Sequence, residues 1–363
     1  MGRGCITYSI SFIAGILAGN LIAPGFWICT PLLAIFTFLL LMTKKKAAIF
    51  LAIAHLALFT AGVQAIRLSM DGESLPPHKL ASTLRHKAGN MQDIAENFLK
   101  GFTSTPQNHA TLCALAVGIK AEMSPSSKKA YSQAGAMHLL ALSGLHVGII
   151  YSIFNTLTIP LITIPGGGSL RLAISMAFLL LYMVASGCSP SVVRACTMIF
   201  LYKISAKKFR STRNWDAIAL SALIAGALAP QEVTGIGFQL SYAAVIGIAA
   251  LYPTCRKSFM QYTGNIGAAH GIVYKIALLI WENISLSLCC QLATLPLILY
   301  HFGESAQFFL ITNLMAIPLV TCILYLTTAA IMLHWIPLLG PFLIKCLNVA
   351  IELLDSSIQF ISG

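Results

Sequence analysis

A chain of 363 residues in which 57% are hydrophobic and only 9% charged is not an ordinary soluble domain, because such domains carry about 25% charged residues. Its 23 Lys and Arg against 11 Asp and Glu leave a formal net charge of +12. A soluble protein with that excess would suggest nucleic acid, whereas in an apolar chain basic residues gather in cytoplasmic loops and set topology. The apolar runs are continuous, which excludes transmembrane strands alternating over about 10 residues. They imply an all-α, polytopic integral membrane protein of about 11 transmembrane helices.

The amino terminus, MGRGCITYSISFIAGILAGNLIA, has the hydrophobicity of a signal peptide. It lacks a small-x-small cleavage site before a soluble region, and a second apolar run follows at once, so it reads as an uncleaved first helix. Three helices are expected at roughly Cys5–Ala23, Phe26–Met42 and Ala47–Ile66, with Lys44, Lys45 and Lys46 between the second and third. Residues 1–66 thus make an amino-terminal membrane segment.

Residues 67–133 are polar. DGESLPPHK is turn-rich. LASTLRHKAGNMQDIAENFLKGF then places Leu80, Leu84, Met91, Ile94, Phe98 and Leu99 at helical spacing. This predicts an amphipathic helix, lying at a membrane surface or simply facing solvent.

Residues 134–363 are nearly all apolar. Spans are expected near Ala136–Ile159, Ser169–Gly187, Pro190–Ala206, Asn214–Ala229, Gly235–Tyr252, Ile272–Phe302, Ala306–Leu333 and Leu338–Ile361. The Ile272–Phe302 run is long, and Pro296 offers a place for it to break. Lys345, Glu352 and Asp355 put part of the last helix in the interface. With the amino terminus inside, the inside loops hold Arg3, Lys44–Lys46, Lys207, Lys208, Arg210, Arg213, Arg256 and Lys257. The outside loops near Pro24, Ser189, Glu232 and Glu304 hold no Lys or Arg. This orientation obeys the positive-inside rule and turns residues 67–133 outward.

Polar side chains within the apolar half are the candidate functional residues, since a charge at a helix centre costs about 2.5–3.5 kcal/mol. Arg194, one turn after Pro190, either snorkels to the outer interface or faces a water-filled cavity. Asp216, just after Asn214, reads as a helix-start carboxylate that complements the dipole. Gln239 and Ser241 in GFQLSYAAVIG either bond neighbouring helices or line a path. Gln291, Asn313 and Pro318 have the character of a broken helix beside a transport site, or of simple packing.

HLLALSGLHVG, residues 138–148, concentrates His138, Ser143 and His146 with small residues. The two histidines do not match HExxH, and Ala141 breaks any GxSxG elbow, so neither zinc nor serine-hydrolase chemistry is indicated. Gly144 and Gly148 form a GxxxG contact, or else Ser143–Gly144 is a break where the helix unwinds beside a cavity. The ten cysteines contain no CxxC pair and mostly sit in apolar runs, as buried small hydrophobes. No metal and no cofactor is expected, and no catalytic group.

HLLALSGLHVG, SGCSPSVVRACTM, GFQLSYAAVIG and LATLPLILYHFGE…TNLMAIPLV occur in that order. Together they resemble the membrane domain of the ComEC competence family, over about Leu80 to Leu333. The resemblance implies an inner-membrane channel that takes up single-stranded DNA during natural transformation. Many members of that family add an outward oligonucleotide-binding-type domain and end in a metallo-β-lactamase-like domain. Here about ten residues separate Arg67 from the amphipathic segment, and no HxHxDH motif occurs. The chain is therefore expected to lack both domains, and the nuclease role does not carry over. A separate nuclease or DNA-binding protein is the expected partner, besides the lipid bilayer and single-stranded DNA. On this reading His138, Ser143 and His146 sit at a central helix junction, and Arg194, Gln239, Ser241 and Asn313 line or shape the path. The competing expectation is a transporter of another envelope solute or lipid on the same scaffold. An intramembrane enzyme built on His138 and His146 is disfavoured by the thin supply of carboxylates.

Overall fold

The computed structural model describes residues 2–21, 58–64, 66, 76–209, 214–264, 272–303 and 309–362. The expected helix Phe26–Met42, the lysines Lys44–Lys46, most of the turn-rich DGESLPPHK, and Arg210 and Arg213 lie outside them. Among the described residues every regular element is helical.

In chain order these are α1 (Gly2–Leu21), α2 (Pro76–Leu99), α3 (Pro106–Ala116), α4 (Pro125–Gln133), α5 (Met137–Leu140), α6 (Gly144–Leu157), α7 (Gly167–Ala185), α8 (Pro190–Phe209), α9 (Asn214–Leu228), α10 (Ile236–Gly264), α11 (Ile272–Phe302), α12 (Phe309–Leu333) and α13 (Leu339–Ser362). Residues 58–64 are also helical.

Two short helices announce their starts in sequence. Thr105 Oγ1 accepts from the Asn108 backbone N–H at 3.1 Å ahead of Pro106, and Ser124 Oγ accepts from that of Ser127 at 3.1 Å ahead of Pro125. A hydroxyl cap followed by proline satisfies one orphan donor and removes another.

Four helices among the described residues are long and apolar enough to cross a membrane: Gly167–Ala185, Ile236–Gln261, Ala277–Phe302 and Phe309–Leu333. Ile6–Ala18, Gly144–Leu157 and Trp215–Leu228 are apolar but short of the about 20 residues a span needs. The described residues therefore make this a helical membrane protein without reaching the expected number of spans.

Three expectations change. The Ala136–Ile159 run is not one helix but α5 and α6 with an extended break between them. α11 runs unbroken through Pro296, and α10 continues through Pro253 to Gly264. In lipid, a proline need not end a helix. Finally, α13 is not among the four spans. Its polar face is buried against protein, as described below.

The chain divides into two compact units. In the first, Met1–Leu84 with Thr197–Tyr242, α1 packs on α9 and on the helical residues 58–64. Side chains added at Gly15 and Gly62 would collide with the backbone carbonyls of Phe59 and Phe12. Small residues here let two helix backbones touch, the way apolar helices associate without a hydrophobic drive between them. A Cβ at Gly226 of α9 would stand 3.1–3.2 Å from Phe12, Ile13 and Ile16.

The second unit is Arg85–Cys196 with Ala243–Gly363. α12 and α13 pack together through buried Val320, Ile323, Leu324, Leu347, Ile351 and Leu354. Gly340 is needed at their corner, where a side chain would strike the His334 carbonyl. α3, buried from Asn108 to Ala116, contacts α5, α12 and α13. α11 meets the carboxyl-terminal half of α10 through stacked Phe259 and Trp281 and an Arg256–Glu282 ion pair at 3.1 Å.

Candidate functional site

The polar groups of the second unit collect where α4, α5 and α6 follow one another. α4 ends in a reversal. Ala136 N–H donates to the Tyr131 carbonyl at 2.7 Å and Gly135 N–H to that of Ser132 at 3.0 Å, with Gly135 at φ +74°. Glycine takes that conformation without steric cost. α5 lasts one turn. Ala141 and Ser143 are extended, at φ −86°, ψ 120° and φ −121°, ψ 172°, before α6 begins at Gly144.

A break inside apolar surroundings exposes backbone groups that need partners. Ser191 Oγ, in the first turn of α8, donates to the Leu142 carbonyl at 2.5 Å. Thr312 Oγ1 of α12 donates to the Ala134 carbonyl at 2.7 Å, and Tyr182 Oη of α7 donates to the Ala116 carbonyl at 3.1 Å. Three helices thus lend hydroxyls to carbonyls in the break, in the α4–α5 reversal and at the end of α3.

The sequence candidates divide between the units. His138 Nδ1 lies 2.9 Å from the Gly135 carbonyl, which can only accept. Its Nε2 is 3.1 Å from Asn313 Oδ1. Ser143 and His146 meet each other: His146 Nδ1 accepts from the Ser143 backbone N–H at 3.4 Å and stands 3.1 Å from its Oγ. This is a capping-box exchange with imidazole in the place usually held by a carboxylate. His146 is fully buried, and its Nε2 has no hydrogen-bond partner among the described residues.

Arg194 is buried, 6% exposed, and its neighbour Ala195 lies 3.7 Å from where a Cβ on Gly144 would stand. Gly148 has nothing within 4 Å of such a Cβ, and Gly144 has room for one in ordinary van der Waals contact, so the GxxxG pair makes no close helix approach. Gln239 and Ser241 belong to the first unit. Gln239 Nε2 donates to the Thr234 carbonyl at 3.1 Å, holding the start of α10, and Ser241 is half-buried.

A second polar system escaped the sequence reading. Asp355 of α13, 5% exposed, accepts from Tyr131 Oη at 2.8 Å, Thr111 Oγ1 at 3.1 Å and Gln107 Nε2 at 3.0 Å. Asn348 Oδ1 accepts from Ser104 N–H at 2.8 Å, Ser104 Oγ at 2.8 Å and Asn108 Nδ2 at 2.9 Å. Its Nδ2 donates to the Phe102 and Ile344 carbonyls. Burial, reinforced by the Asp355 carboxylate, raises the Tyr131 hydroxyl well above its ordinary range, so it remains a donor. The signal was a stripe: Asn348, Glu352 and Asp355 fall on one helical face.

A helical membrane protein whose apolar helices enclose a hydrogen-bonded break is the class that this arrangement defines. Residues 115–363 match the family described as Competence protein, and the chain belongs to that family. It is 30% identical over 229 residues to ComE operon protein 3 of Bacillus subtilis (strain 168), an alignment covering 63% of this chain. The match spans 27% of that relative's own length. No solved structure matches.

Proposed function

We propose that the chain forms the membrane core of a DNA-uptake channel, passing single-stranded DNA across the bacterial inner membrane. The carrying observation is the match to the competence family over residues 115–363, whose matched region contains the polar break around His138, Ser143 and His146. Arg194, a buried cation in the helix whose Ala195 packs on Gly144, suits a polyanion, whose passage needs positive potential. The channel performs no covalent chemistry of its own. It spans the membrane about 11 times, with a cytoplasmic amino terminus and residues 67–133 outside. Single-stranded DNA is the cargo, and a separate nuclease or DNA-binding protein is the partner.

The test is Arg194→Ala in a cell whose only copy carries the change. Transformation should fall about tenfold or more, the effect of losing one charge-assisted contact of about 1.5–3 kcal/mol, while the protein still inserts and accumulates. Unchanged transformation defeats the assignment. Deleting the gene should keep labelled DNA out of the cytoplasm; an altered envelope composition with normal uptake would instead favour a solute or lipid transporter.

A further inference from the structure

Outside the polar junction, one group of side chains has the composition of a metal site. Glu96 of α2, His109 of α3 and Glu122 of the loop 117–124 each offer one ligand atom, and these atoms all lie within 4.8 Å of one another. We propose that Glu96, His109 and Glu122 form a binding site for a borderline divalent transition metal, with Zn²⁺ as the representative ion.

The geometry fits. His109 Nε2 lies 3.4 Å from Glu122 Oε2. A tetrahedral ion with bonds of about 2.1 Å sets its ligands about 3.4 Å apart. The His109 side chain is 9% exposed, held in the wholly buried part of α3, so one ligand is placed before any ion arrives. Glu122 is 46% exposed, which leaves a route from solvent. An imidazole with two carboxylates favours zinc, manganese or iron over magnesium or calcium, which prefer all-oxygen cages.

Cys113 Sγ is 3.6 Å from His109 Nε2. This thiol is fully buried and is not one of the three converging groups. The donor set is therefore one nitrogen and two oxygens, with a fourth corner open to water. Metal bound there would fasten the loop 117–124 and α2 to α3.

The experiment uses the full chain, purified in detergent with any affinity tag removed. Zn²⁺ binding is measured by equilibrium dialysis, and Co²⁺ serves as a spectroscopic probe. The wild type should bind one equivalent tightly. Glu122→Gln, at an exposed side chain that leaves the fold intact, should weaken that binding at least about tenfold. Cys113→Ser should leave it unchanged, and the Co²⁺ complex should show tetrahedral d–d bands without a thiolate charge-transfer band. Equal binding by wild type and Glu122→Gln would overturn the site, as would a preference for Mg²⁺ or Ca²⁺ over Zn²⁺. A thiolate band would overturn the three-ligand assignment.

Discussion

Tyr131 and Asp355 show how single residues hold this protein together. The carboxylate sits 5% exposed and receives hydrogen bonds from three side chains, the Tyr131 hydroxyl at 2.8 Å being the shortest. A hydrogen bond to a charged group contributes about 1.5–3 kcal/mol, and stranding buried donors costs more. Tyr131→Phe should therefore destabilise the protein by about 1.5–3 kcal/mol, and Asp355→Ala by more, since Tyr131, Thr111 and Gln107 all lose their acceptor. Thermal unfolding in detergent measures both; a smaller loss for Asp355→Ala than for Tyr131→Phe would contradict the network. None of this was visible from residue types. Asp355 was legible as a polar residue in an apolar helix, and the usual place for such a residue is the interface. Its partners lie more than two hundred positions away in sequence, and periodicity reports only which face a residue occupies, not what covers that face. His109 and Glu122 are a parallel case: each comes from a different element, so no local motif announces them.

At the scale of elements, the existence of helices was legible and their continuity was not. HLLALSGLHVG was readable as an interruption because Gly135, Ser143 and Gly144 are poor helix-interior residues among apolar neighbours. The structure resolves the interruption as a one-turn helix, an extended link and a capped new helix. Pro296 sent the opposite signal. Proline removes one backbone donor, yet α11 stays helical on both sides of it. A hinge and a tolerated proline make different forecasts. Since the helix is already unbroken, Pro296→Ala should restore a hydrogen bond and leave thermal stability equal or higher, with transformation retained. Loss of transformation with an unchanged melting curve would show that a kink at this position matters in a state other than this one. Ser143→Ala tests the other element boundary. Losing a helix cap costs about 1 kcal/mol, and here it also deprives His146 Nδ1 of one neighbour. The expected outcome is a stability loss of about 1 kcal/mol, read as a lowered melting temperature, with faster hydrogen exchange confined to the first turn of α6.

For the whole molecule, orientation in the membrane is the property on which the channel reading depends, and charge decides it. Arg256, half exposed, is paired with Glu282 at 3.1 Å, and Lys257 beside it is exposed. Acidic partners contribute little to topology, so the carboxyl-terminal end of α10, where Arg256 and Lys257 lie inside the helix and not in the expected loop, counts as basic and on the proposed orientation faces the cytoplasm. The segment 67–133 also holds Lys79, Arg85, Lys87, Lys100, Lys120, Lys128 and Lys129, which a bare count of charges would put on the same side. It does not, because the rule applies to loops shorter than about 60 residues, and longer segments translocate largely regardless of charge. This segment exceeds that length, whereas the basic clusters of the other loops are short. Alkaline phosphatase fused after Ala121 should therefore be active in the periplasm, and the same reporter fused after Lys257 should be inactive. Exposed Ile94 and Phe98 on α2 would then rest against the outer leaflet, and the Glu96–His109–Glu122 cluster would face the metal content of the periplasm rather than that of the cytoplasm. The inverse pattern of reporter activity would put the segment inside, leave the proposed channel without an outward basic surface to meet DNA, and remove the reason for reading Arg194 as part of an entry path.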